Sequence, residues 1–110
     1  MDDCVFCKII KGEVPADFIY QDEEVVAFKD IKPKAPVHLL IIPKRHIERL
    51  DDAQVTDRPL LGKLLLVAKQ IAQEQGVDRS GYRLVINNGE SAGQMVPHLH
   101  IHLLGGKNFE

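Results

Sequence analysis

Several features are missing from this chain, and each absence narrows what it can be. Charge of one sign is not in excess: the formal net charge is −2 with the histidines neutral. A protein that grips nucleic acid by its phosphates needs a basic field, so neither DNA nor RNA is an expected partner. No apolar run approaches the ~20 residues of a membrane span. The opening Met1, Asp2 and Asp3 lack the basic region of a secretion signal. A cytoplasmic location with no membrane partner is therefore expected. Cysteine is scarce, with Cys4 and Cys7 only, which is not a secreted disulfide framework. The dinucleotide fingerprint and the phosphate-loop pattern are both absent, as are internal repeats, low-complexity stretches and dividing linkers. What remains, 110 residues of which 45% are hydrophobic and 27% charged, has the size and composition of one globular domain spanning 1–110.

What is present is concentrated near the C-terminal end. His98, His100 and His102 alternate with Leu99, Ile101 and Leu103. In a strand, successive side chains point to opposite faces, so the three imidazoles share one face at spacings of about 6–7 Å. Just upstream lie Gly89, Gly93 and Gln94. Glycines let backbone N–H groups approach oxygen closely. Imidazole titrates near neutral pH and can serve as neutral nucleophile or charged donor. Together these features read as a phosphate site. A single metal ion held by all three histidines is disfavoured, because five strand positions stretch over about 13 Å.

The rest of the chain reads as a mixed α+β domain. Residues 4–11 form a short helix with Val5, Phe6, Ile9 and Ile10 on one face, capped by Asp2 or Asp3. Two short strands, 18–20 and 25–28, flank a polar turn and make a hairpin. Residues 38–43 are apolar throughout, as in a strand buried on both faces, and Pro43 ends it. The strongest helix spans 59–75. Thr56 or Asp57 caps it, its apolar stripe is Leu60, Leu61, Leu64, Leu65, Ala68, Ile71 and Ala72, and Gly76 stops it. A strand at 82–87 precedes the histidine strand. The expected architecture is a mainly antiparallel sheet with the helices on one face. His38 reads as structural.

The segment 98–102 resembles the signature of the histidine triad (HIT) family of nucleotide-binding proteins, and Leu104, Gly105 and Gly106 resemble its Hint branch. Residues 6–10, 30–38, 42–46, 81–87 and 93–94 resemble other family blocks in the same order. The resemblance implies a HIT-like fold with about five strands, one long helix and a short N-terminal helix. It also implies a homodimer with joined sheets, in which Leu61, Leu65 and Leu66 offer apolar surface. The implied activity is hydrolysis of purine nucleoside phosphoramidates to the nucleoside monophosphate (AMP or GMP type). His100 attacks phosphorus and a nucleotidyl-histidine forms, which divides one hard displacement into two easier ones. A nucleotide-binding regulatory module with little turnover is the alternative.

The same resemblance assigns roles. His102 contacts the phosphate, His98 supports, and Gln94, with the backbone at Gly93, Met95 and Val96, holds phosphate oxygens. Asn87 orients the substrate, and Asp30 accepts from ribose hydroxyls. Val5, Phe6, Ile9, Val14, Phe28 and Ile31 sandwich the base. No cofactor is required for catalysis. Cys4 and Cys7 have the spacing of half a zinc site, and in relatives with this pair His46 and His98 complete it, which implies a structural zinc. A thioredoxin-like redox pair is disfavoured because no strand precedes the cysteines. Two departures stand out. Met95 occupies a position where Hint proteins commonly carry serine or threonine. The sequence also stops at Glu110, where many relatives continue with a tail on the leaving-group side.

Overall fold

The alternating segments assemble into one five-stranded sheet in the computed structural model, which describes residues 4–109. The strands are β1 (Phe18–Gln21), β2 (Val25–Lys29), β3 (Val37–Pro43), β4 (Tyr82–Val85) and β5 (Ile101–Gly105). Their spatial order is β1-β2-β3-β5-β4, and every neighbouring pair is antiparallel. Two helices complete the fold, α1 (Val5–Ile10) and α2 (Arg58–Glu74). Each expected element is present, within a few residues of its expected ends.

The helices do not share a face, contrary to expectation. Val25 and Ala27 of β2 and Leu39 and Ile41 of β3 pack with Leu64, Val67, Ala68, Ile71 and Ala72 of α2. The intervening residues Val26, Phe28, Leu40 and Ile42 pack with Phe6, Cys7 and Ile9 of α1. A central strand apolar on both faces needs cover on both, and one helix can supply only one side. Periodicity identifies a helix's buried stripe but not the side of the sheet that receives it.

Smaller corrections concern caps and stripes. The α1 N-cap is Cys4, whose Sγ accepts the Cys7 N–H at 3.2 Å; Asp2 and Asp3 lie outside the described residues. Asp57 is the α2 N-cap without making a side-chain cap bond. Its carboxylate instead accepts from the Gln54 N–H and from Arg45, and these bonds lower its pKa from the ordinary carboxylate value. In the α2 stripe Leu65 is exposed and Val67 is buried, because the helix is seated slightly rotated from the expected stripe.

The histidine segment joins the sheet later than expected. β5 begins at Ile101, opposite Ile41 of β3. Before it, the Leu99 N–H bonds to the Ile47 carbonyl at 2.7 Å, outside the sheet. The alternation survives: Leu99, Ile101 and Leu103 all enter the α2-side core. Close packing continues at the strand's end, where a Cβ on Gly105 would lie 2.9 Å from Val77.

Candidate functional site

With the leucines turned toward α2, the histidines face the α1 side, and each finds a different environment. The Phe6 ring meets His100 edge-on at 5.1 Å and His98 at 6.0 Å. His100 and His102 stand 5.0 Å apart between ring centroids.

His98 is fully buried among sulfur ligands. Its Nδ1 lies 3.3 Å from Cys4 Sγ and 3.6 Å from Cys7 Sγ, and Cys7 Sγ lies 3.2 Å from His46 Nδ1. The four donor atoms all fall within 4.8 Å of one another. Zinc bonds of ~2.3 Å to sulfur and ~2.0 Å to nitrogen imply tetrahedral S···N edges of about 3.5 Å. His98 Nε2 donates to the Pro43 carbonyl at 2.7 Å, so its Nδ1 keeps the lone pair a metal needs. The donor set therefore fits a zinc ion. Without metal, burial and the neighbouring Cys4 push the Cys7 thiol up to about 11. Burial likewise depresses His98 to about 4.

His100 is buried with its Nδ1 2.7 Å from the His98 carbonyl. A carbonyl only accepts, so Nδ1 carries the proton and Nε2 carries the lone pair. Desolvation keeps the ring below the ordinary histidine pKa. The result is an oriented imidazole whose Nε2 lone pair has the chemistry of a nucleophile.

His102 sits at the other end of the triad. Its Nδ1 lies 3.0 Å from His38 Nε2, and His38 Nε2 is also 3.3 Å from Asp30 Oδ2. His38 Nδ1 accepts the Lys34 backbone N–H at 3.0 Å. These three side chains also cluster tightly enough to suggest a metal. However, His38 Nδ1 is occupied by a donor, so a neutral His38 must carry its proton on Nε2 and cannot ligate there. The trio is a hydrogen-bond chain. Burial and the adjacent His100 and His38 depress His102 to about 4, and burial lowers His38 as well. The part His38 plays here was not legible from sequence. It lies at the head of an apolar run and is paired with Leu104 in register, 64 residues away from the side chain it touches.

The loop before the triad is held by its own side chains. Gln94 Oε1 accepts the Gly89 N–H at 2.8 Å, and Gln94 Nε2 donates to the carbonyls of Glu48 at 2.7 Å and Val96 at 3.0 Å. Both amide protons are engaged, so the side chain has no free N–H for a phosphate oxygen. Asn87 donates to the Ala92 carbonyl at 2.8 Å. Gly93 takes φ +91°, a conformation that favours glycine. Among the described residues, neither Met95 nor Val96 donates its N–H to another backbone group of the loop. Met95 itself is 90% exposed. It borders a groove of about 550 Å³ lined also by Glu48, Arg49, Asn88, Glu90 and Pro97.

Of the expected base pocket, Phe6, Ile9, Phe28 and Val14 gather in one cluster, against which Val96 also packs. Phe6 and Phe28 meet edge-on at 5.5 Å. Val5 is exposed, and Ile31 is 90% exposed beside Asp30. Asp30 Oδ1 accepts the Lys32 N–H at 2.9 Å.

Residues 11–109 match the family model described as HIT domain. The chain belongs to the HIT family. It is 51% identical over 107 residues to a HIT-like protein of Synechococcus elongatus, covering 97% of this chain and 93% of that protein. The crystal structure of a HIT family hydrolase from Legionella pneumophila superposes with a TM-score of 0.96 at 48% identity, covering 98% and 96% of the two chains. A histidine triad nucleotide-binding protein from Candida albicans gives 0.88 at 37% identity over 96% and 76%. A Zn-bound histidine triad family protein from Mycobacterium smegmatis gives 0.81 at 34% over 97% and 77%. The HIT fold read from the triad and its flanking blocks is thus the observed one, with the CxxC pair at its N-terminal helix.

Proposed function

We propose that this HIT protein, acting as one domain over 1–110, hydrolyses purine nucleoside phosphoramidates through a nucleotidyl-histidine intermediate, as the Hint branch does. The observation that carries this reading is the His100 Nδ1–His98 carbonyl bond, which leaves the lone pair on Nε2. Nε2 attacks the α-phosphorus, the P–N bond breaks, and the amine leaves with a proton from water. Water then attacks phosphorus, the bond to His100 breaks, and the nucleoside monophosphate is released. Each half is an easier displacement than the direct one. The names of the Legionella and Candida proteins, a hydrolase and a nucleotide-binding protein, support the same reading.

His102 Nε2 faces the phosphate as donor and stabilises charge as it develops. The N–H groups of Met95 and Val96, with the turn at Gly93, cradle phosphate oxygens, while Gln94 acts by clamping that loop. Asn87 orients the substrate, and Asp30 takes the ribose hydroxyls. Val5, Phe6, Ile9, Val14, Phe28 and Ile31 hold the base. Cys4, Cys7, His46 and His98 hold a structural zinc, a reading supported by the donor geometry and by the Zn-bound Mycobacterium relative. A zinc bound there rigidifies His98, whose carbonyl orients His100. Exposed Leu65 and Leu66 on α2, with Leu84 and Ile86 at the β4 edge, support a homodimer with joined sheets. A cytoplasmic location fits, and no helix among the described residues is long and apolar enough to cross a membrane.

The test is to quench the protein during turnover of adenosine 5′-phosphoramidate and map the adduct. A nucleotidyl group on His100 is expected, and an adduct elsewhere, or none under single-turnover conditions, rejects the mechanism. Met95 favours one second reading, a nucleotide-binding module with little turnover. AMP binding without any hydrolysis selects it.

A further inference from the structure

The His38 ring touches two groups to which the proposed function gives separate tasks. Its Nδ1 accepts the Lys34 N–H at 3.0 Å, and an amide N–H can only donate. A neutral His38 therefore carries its single proton on Nε2. That N–H faces two acceptors, His102 Nδ1 at 3.0 Å and Asp30 Oδ2 at 3.3 Å. One proton cannot serve both fully, and such three-centre bonds divide their strength. The His38 side chain is 2% exposed, so water does not relieve the competition.

We infer that Asp30 and His38 together set the tautomer of His102, so that the carboxylate holding the ribose also governs the donor facing the phosphate. When the His38 N–H points to His102, His102 Nδ1 must hold a lone pair and Nε2 must hold the proton. His102 is then a donor toward the site. When Asp30 draws the His38 N–H away, that constraint weakens. A ribose hydroxyl donating to Asp30 Oδ2 makes the carboxylate a poorer acceptor for His38. The His38 N–H then goes to His102, and the phosphate donor is completed. The sugar is read in the rate of chemistry as well as in binding. This sugar coupling rests on the nucleotide reading above, whereas the tautomer assignment rests on the hydrogen bonds alone. His38 and Asp30 act through His102 and are positioning residues.

The tautomer is tested directly on the full-length protein with ¹⁵N-labelled histidine, since protonated and lone-pair imidazole nitrogens resonate far apart. Wild-type His102 is expected to show protonated Nε2 and lone-pair Nδ1. His38→Leu removes the donor and moves His102 toward a mixture of tautomers, and His38→Gln restores it with an amide N–H. Protonated Nδ1 on wild-type His102 overturns the inference. So does a His102 spectrum unchanged in a folded His38→Leu variant. The wild-type spectrum decides the matter even where that variant does not fold.

The sugar coupling is tested by comparing adenosine and 2′,3′-dideoxyadenosine 5′-phosphoramidates. In the wild type, kcat is expected to fall about tenfold without the hydroxyls, the order of one hydrogen bond strengthened in the transition state. In Asp30→Ala the difference in kcat disappears while KM for the ribose substrate rises. A wild-type loss confined to KM overturns the coupling. Hydrolysis of neither phosphoramidate overturns the hydrolase reading and the coupling with it, and leaves the tautomer to the spectrum.

Discussion

On the α2 side of the sheet, Leu39, Ile41, Leu99, Ile101 and Leu103 meet Leu64, Val67, Ala68 and Ile71 in an apolar cluster. On the α1 side the same strands meet Phe6, Cys4 and Cys7, and every triad histidine faces that way. One stretch of chain, 98–103, serves both sides by alternation. Its odd positions enter the apolar core and its even positions carry the three histidines. Polar groups tolerate burial when each has a partner, and none of the buried side-chain polar atoms among the described residues lacks one. The two sides should therefore respond differently to the same class of change.

The largest contrast comes from one residue on each side. His100→Asn removes the proposed nucleophile, and kcat for adenosine phosphoramidate should fall at least on the order of 10³-fold. Tm should move by only about 4 °C or less. Comparable turnover in the variant would break the assignment. Ile71→Ala, fully buried on the α2 side, should cost about 2–5 kcal/mol of stability in urea unfolding. It should leave kcat of the folded protein within about twofold, since distant sites act nearly independently.

Metal removal sharpens the comparison next. Elemental analysis should find one zinc per chain, and chelation should lower Tm by at least about 4 °C, roughly 1 kcal/mol for a chain this size. Cys7→Ser should abolish binding and remove the chelator's effect. A chain purified without zinc that gains no stability from added zinc would sink the metal assignment.

Acid should act on the chemical side first. His98 and His102 fall to about 4 from an ordinary value of 6.5, in each case mainly through burial. The unfolded chain therefore takes up these protons before the folded one does. Their contribution to the metal-free protein is complete above about pH 6.5 and is lost as the pH falls toward about 4. Urea unfolding of chelated protein at pH 7 and pH 5 should show the loss, whereas equal stabilities would contradict it.

Much of this was legible in the sequence because alternation and apolar runs obey local geometry. Leu99, Ile101 and Leu103 opposite three histidines, and the doubly buried 38–43 run, need only the strand period. The placement of α1 opposite α2 is a tertiary fact that no local period encodes. His38 escaped for the same reason: a lone histidine at the head of an apolar strand looks like core, and its partners Asp30 and His102 are fixed by loop and register. The family resemblance assigns Gln94 to the phosphate oxygens. In the fold its amide closes the loop onto Gly89 and Glu48, a use that spacing cannot distinguish.

Met95 carries the smallest expected effect and divides the two sides most cleanly. It is 90% exposed and absent from both core clusters, so Met95→Ser should leave Tm within about 1 °C, as surface changes usually do. Its N–H stays in place, so AMP affinity should change little. What serine adds is a hydroxyl beside the proposed phosphate cradle, able to donate to an oxygen or to the departing nitrogen. If that bond forms chiefly in the transition state, kcat should rise by roughly 3–10-fold with KM nearly unchanged. A rise in affinity with no change in kcat would mean that the loop serves binding alone, and the reading of this protein as a module with little turnover would gain ground over catalysis.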